Sequence, residues 1–435
     1  MIINKLFIVN KNSIILALLS SAIIGVAISF SDFYLFHLIL SILTIIWIYQ
    51  FKENKYRLNL DIFSDNHAKA LLVVLSWYLL SLLWAPSLVL GLKYMFYLIC
   101  GIIITFSFIY FSKNIEDLNT IFKVLSFFIT IEIIIALAES FTSFRMPISS
   151  YSSFAILFGK DPINFSEFGD VFIYSNISPP TGFHWNTNDL AICMIISLPF
   201  FLCSNKSSIK IVGTLSVTTI IIMTASRAAF LGLVLIYSLY LILIKKRVGA
   251  LSLAWITLFI FFLGMQQLRE SENPRINEVA NSIEALTLYL SGNIDVGGSI
   301  QWRRELVDNG INAFYNSYGL GLGAGGTVAN QEIIGPVAGR FTSMHNFWVE
   351  LLVEGGIFVA TIISFWLISI IYKLFIISRT ITNQNLRYYS QSLFLSVIAF
   401  IPAAIAASST IYFFPMWIMF GFSISVILLS KIYAN

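Results

Sequence analysis

Charge is what this sequence lacks. Only 11% of its 435 residues are Asp, Glu, Lys or Arg, against about 25% in an ordinary soluble domain, which excludes a water-soluble globule. Cysteine is almost absent too. Cys100, Cys193 and Cys203 all lie in or beside apolar runs, where cysteine behaves as a small buried hydrophobe, so no disulfide framework or metal-ligand spacing is visible. No lysine followed by Ser or Thr stands at P-loop spacing, which argues against nucleotide binding. The net charge of +4 says little, because in such a chain the position of the positive charges matters more than their sum.

Apolar residues fill the space that charge leaves. They make up 58% of the chain, the mean hydropathy is +0.85, and the length leaves room for roughly a dozen spans of about 20 residues. The sequence predicts an all-α polytopic integral membrane protein, one membrane domain over residues 1–435. The apolar runs are Ser13 to Phe30, Phe33 to Tyr49, Ala70 to Trp84, Gly91 to Phe111, Leu118 to Ala138, Leu190 to Cys203, Ile209 to Ala225, Ala228 to Ile244, Ala250 to Met265, Phe347 to Ile371, Ser390 to Ala407 and Ile411 to Leu429. That is about twelve transmembrane helices. The first follows Lys5 and Lys11 but is succeeded at once by a second run, so it reads as a span and not as a cleaved signal. With a cytoplasmic N-terminus, the inner turns receive Lys52, Lys55, Arg57, Lys113, Lys206, Lys210, Lys245, Lys246, Arg247, Lys373, Arg379 and Arg387, and the short outer turns receive no Lys or Arg. This positive-inside pattern leaves two larger extracytoplasmic loops, residues 139–189 and 266–345.

The second loop holds most of the polar chemistry. Trp302 to Asn316 has the pattern of an amphipathic helix that can hold Arg303 and Arg304 near lipid headgroups; a solvated charge pair is the plainer alternative. The alternating glycines Gly319 to Gly326 are weak alone, since such loops often only permit positive φ. Arg340 and His345 follow. Thr342 and Ser343 are candidate N-caps for the next helix. A histidine in its first turn feels the positive end of the helix dipole and stays neutral, as a general base requires. Gly355-Gly356 predicts close approach of a neighbouring helix. In the first loop, Pro179 to Asp189 reads as a proline-led turn with Asn188 or Asp189 capping the next helix. His184 and Trp185 are left over as a hydrogen-bonding edge and a stacking face for a sugar. Arg227 lies at the turn between two apolar runs, either as a snorkelling anchor or as an anion partner.

Thr181-Gly-Phe-His-Trp-Asn-Thr-Asn-Asp, Ala225-Ser-Arg227-Ala-Ala-Phe-Leu-Gly, Arg303-Arg-Glu-Leu, Gly319-Leu-Gly-Leu-Gly-Ala-Gly and His345-Asn346 before Glu354-Gly-Gly together resemble the O-antigen ligase and polymerase superfamily. The resemblance covers roughly residues 70–430. It implies a metal-independent, inverting membrane glycosyltransferase of the GT-C kind, without cofactor, on the extracytoplasmic face of a bacterial inner membrane. It also implies an undecaprenyl-pyrophosphate-linked saccharide donor, a lipid-linked saccharide or lipid A core acceptor, contact with membrane lipid and no nucleic acid. The catalytic residues it implies are Arg227, Arg303 and His345, with Arg304, Arg340, His184, Trp185, Asn188 and Asn346 as candidate substrate-binding residues. Val307 stands where a tryptophan is often found, and Val359 where ligases carry glycine.

The residue chemistry is compatible with this. A pyrophosphate leaving group needs its developing charge held, and permanently charged arginines do that in bidentate fashion. The acceptor hydroxyl must lose a proton, and His345 can take it; Glu305 or Glu350 could orient a base or acceptor, but a local salt-bridge or helix-end role is the favoured reading of each. A polymerase acting on lipid-linked repeats is favoured over a ligase. A transporter would need more polar residues within its spans than the few found here, chiefly Lys93 and Glu132.

Overall fold

The computed structural model describes residues 11–52, 65–162, 179–247, 299–337, 342–407 and 411–433. The apolar run Ala250 to Met265 lies outside the described residues. The other runs are helical: α1 Lys11–Ile24, α2 Leu35–Lys52, α3 Asn66–Ser81, α4 Leu88–Phe111, α5 Ile115–Phe141, α6 Thr187–Leu202, α7 Ser207–Met223, α8 Arg227–Leu239, α11 Phe347–Thr380, α12 Gln384–Ala403 and α13 Phe414–Ile432. Between them the chain adds the polar helices α9, Ser299–Asn316, and α10, Gly326–Ile334. Among the described residues five helices are long and apolar enough to cross a membrane, and four more apolar helices are shorter. The helical, polytopic character expected from the sequence is thus seen, with five helices of spanning length among the described residues. Run length overstated the first helix, because after Ala27 the chain leaves its helical path for a two-residue hairpin pairing Ser29 with Tyr34.

Polar side chains set the helix starts. Asp65, Ser87, Asn114 and Asn383 accept backbone N–H groups at the first turns of α3, α4, α5 and α12, using donors the helix cannot satisfy internally. Helix α13 packs against α1, α4, α6, α11 and α12. Phe422 stacks on Phe108 and Phe200, with ring centroids 5.1 and 5.7 Å apart. Leu38, Ile45, Val212, Leu215, Phe365 and Ile368 are exposed on α2, α7 and α11, as side chains facing lipid should be.

One break in helical geometry positions the polar chemistry. Helix α11 is kinked at Gly356, whose φ of 70° and ψ of −175° interrupt the hydrogen-bond ladder. The glycine-rich loop occupies the gap, and not a neighbouring helix as Gly355-Gly356 predicted. Leu322 N donates to Val353 O at 2.7 Å, Gly323 N to Glu354 O at 3.0 Å, and Ile357 N to Gly319 O at 3.0 Å. The buried Glu354 carboxylate accepts the Thr327 hydroxyl at 2.7 Å, which ties the start of α10 to the same kink.

Candidate functional site

Arg227 opens α8 after a turn of three residues. Thr224 returns its hydroxyl to Ile221 O at 2.6 Å, and Ala225 takes a φ of 53°, so α7 stops and the chain reverses. An arginine in the first turn of a helix opposes the helix dipole. Helix stability therefore does not account for it, whereas an anion at that N-terminus would.

Arg303 is carried by α9, whose Leu306 and Gly310 lie on the same face one and two turns further on. Leu306 joins Val337 and Met344 in a small apolar core. A side chain at position 310 would put its Cβ 2.4 Å from the Met344 methyl; the bare glycine lets α9 close against the segment that leads into α11. This brings Arg303 beside His345, the residue that follows Met344. The adjacent Arg304 points elsewhere, exposed and 3.8 Å from Asp308.

His345 precedes α11 with a φ of 50°. The cap is Asn346, whose Oδ1 accepts from Trp348 N and Val349 N at 3.1 and 3.3 Å. Thr342 and Ser343 are therefore not the caps, and His345 lies outside the first turn; its left-handed backbone forces the chain away from helix until Asn346.

The electrostatics join these residues. Burial, and next the charge of Arg227, push the Arg303 guanidinium down to about 10. Burial, and next Arg303, push the His345 imidazole down to about 4. The arrangement is two guanidiniums near enough to repel and a neutral imidazole beside them. Glu350, one turn into α11, is buried, and Glu305 on α9 is exposed. Arg340 lies outside the described residues.

The first-loop residues divide differently. Glu139 Oε2 accepts Thr181 N and Gly182 N at 2.7 and 2.8 Å, fixing the turn. His184 is buried, its Nε2 3.0 Å from Glu132 Oε1. Trp185 is half-buried with the Lys160 ammonium 5.1 Å from its ring centre. The cap of α6 is Asn186, which accepts from Asp189 N at 2.9 Å; Asn188 and Asp189, the predicted caps, lie within the first turn. Sequence reading missed Lys160, which carries no motif, and the anchoring roles of Glu139 and Glu354. The available signal was a carboxylate within or at the edge of an apolar run, which demands a partner.

Two comparisons relate the chain to known proteins. The model of the O-antigen ligase family matches residues 212–364, the stretch that carries Arg227, Arg303 and His345. The teichuronic acid biosynthesis protein TuaE of Bacillus subtilis (strain 168) is 23% identical over 430 residues, covering 94% of this chain and 81% of the relative. By its motifs, in their order along an apolar helical bundle, and by these two matches, the chain is similar to the O-antigen ligase/polymerase superfamily.

Proposed function

We propose that the protein is a membrane glycosyltransferase that polymerises undecaprenyl-pyrophosphate-linked oligosaccharide repeats into a bacterial surface polysaccharide, in one domain whose residues 139–189 and 266–345 face outward. The single observation that supports it most is the mutual electrostatics of Arg227, Arg303 and His345. Two cations held close together raise each other's energy, and a bound pyrophosphate relieves this with bidentate contacts. In the reaction the acceptor hydroxyl oxygen attacks the donor's anomeric carbon as the carbon–oxygen bond to pyrophosphate breaks. The hydroxyl proton passes to His345, the bond electrons leave with undecaprenyl pyrophosphate, and the anomeric configuration inverts. Binding of the pyrophosphate also offsets the charge of Arg303. The imidazole then becomes a stronger base when substrate is present, which is when a base is useful.

Trp185 with Lys160 over its ring supports an acceptor saccharide near the first loop, stacking on one face. The relative's part in teichuronic acid biosynthesis fits a glycan-building role. The family match favours a second reading, an O-antigen ligase transferring finished glycan to lipid A core. Gene deletion separates the two. Loss of a polymerase leaves single repeats on their usual carrier, whereas loss of a ligase strands full-length polymer on undecaprenyl pyrophosphate. Stranded polymer on a gel of surface glycans would overturn the polymerase assignment.

A further inference from the structure

Among the described residues, one buried cluster of potential metal-ligating side chains takes no part in the proposed glycosyl transfer. Glu132 lies in the candidate span Ile115–Phe141 and is fully buried. A carboxylate in such surroundings must be paired or coordinated. Two buried groups face it, one from the turn before α6 and one from within that helix: His184 Nε2 is 3.0 Å from Oε1, and the Cys193 thiol donates to Oε2 at 3.4 Å. The three ligand atoms lie within 4.8 Å of one another.

Three features separate this cluster from an ordinary buried ion pair. First, the His184–Glu132 contact has the distance of a pair without the alignment of a hydrogen bond, since neither Nε2 nor Oε1 has a hydrogen-bond partner. Among the described residues both buried atoms thus lack the hydrogen bond that burial calls for. Second, a thiol completes a set of three different donor types around one point. Third, the charges cancel: a divalent ion, a carboxylate, a thiolate and a neutral imidazole sum to zero, as an apolar interior requires.

We propose that Glu132, His184 and Cys193 bind a single borderline-soft divalent transition-metal ion, for which the mixed O, N and S donor set suits zinc best. On binding, the Cys193 thiol gives up its proton to solvent. The ion ties the His184 turn to α5 and α6 and so fixes the loop that presents Trp185. None of the three residues belongs to the Arg227, Arg303 and His345 group, so the site stands or falls apart from the glycosyltransferase assignment.

The test uses the full-length chain, purified in detergent without a polyhistidine tag and dialysed after growth with added zinc. Mass-spectrometric metal analysis should find about one zinc per chain, with at least tenfold less in Cys193→Ser and in His184→Ala. Loading with cobalt(II) should give wild-type protein a thiolate-to-cobalt charge-transfer absorption, a readout that needs no variant to fold. A strong chelator should lower the melting temperature of the wild type and leave Cys193→Ser unmoved. Wild-type protein with neither zinc nor the cobalt absorption, or Cys193→Ser with undiminished zinc, would overturn the site in favour of a bare histidine–glutamate pair.

Discussion

His345 is kept neutral well below pH 7, and the sign of that shift makes two expectations. Its folded pKa, about 4, lies below the ordinary 6.5. Between those values the unfolded chain takes up the proton more readily, so this residue lowers folding stability as pH falls from 6.5 towards 4 and contributes nothing above that window. For catalysis, kcat/KM should keep its histidine-dependent acid limb near pH 4, and the limb of kcat should lie higher because bound pyrophosphate offsets Arg303. A pH profile on purified enzyme checks this; identical limbs at the ordinary histidine value would contradict the described environment. The paired arginines give a second contrast. Arg303→Ala should abolish polymer formation with normal insertion, and Arg303→Lys should rescue poorly, because lysine is a point charge without a bidentate fork. Arg304→Ala should retain most activity, since it loses an exposed pair of the kind worth about 0.5 kcal/mol or less. Polymer length on gels, normalised to protein in the membrane, measures both. The sequence offered both arginines side by side; helical phase against Leu306 and Gly310 separates them.

The break in α11 is an element-scale device, and its glycine is replaceable only at a cost. At Gly356 an added Cβ would lie 2.2 Å from Leu320 O, on a backbone with φ of 70°. Gly356→Ala should therefore lower the melting temperature markedly, with about 1–3 kcal/mol from backbone conformation alone and the clash in addition. Gly335→Ala is the control, since its φ of 115° is unfavourable but nothing lies within 4 Å. Thr327→Val should cost about 1–3 kcal/mol by removing a donor from the buried Glu354 carboxylate. Thermal unfolding in detergent ranks the three. The glycines were legible as a loop that permits positive φ, but not their docking partner, because a helix break at Gly356 has no local signature that distinguishes it from a packing glycine.

Over the whole molecule, the proposed orientation puts α9 outside and the start of α7 inside. Cysteines placed at the exposed positions Asn312 and Ser207 should respond to an impermeant maleimide in intact spheroplasts at 312 and not at 207; the reverse pattern would invert the topology. What the sequence alone determined was the class of protein and where its helices run. Hydropathy is a sum over neighbours in the chain, and each described apolar run from Ser13 to Leu429 contains a helix, although the first run extends past its helix into a hairpin. It also supplied Arg227, Arg303 and His345 as candidates, through motifs whose order survives without any packing information. Only the tertiary structure decided which of these side chains meet. Arg303 comes within electrostatic range of His345, on a helix whose Gly310 admits Met344, and Glu132, His184 and Cys193 converge from separate segments. Such contacts join positions distant in the chain, and neither periodicity nor composition encodes the distance between them.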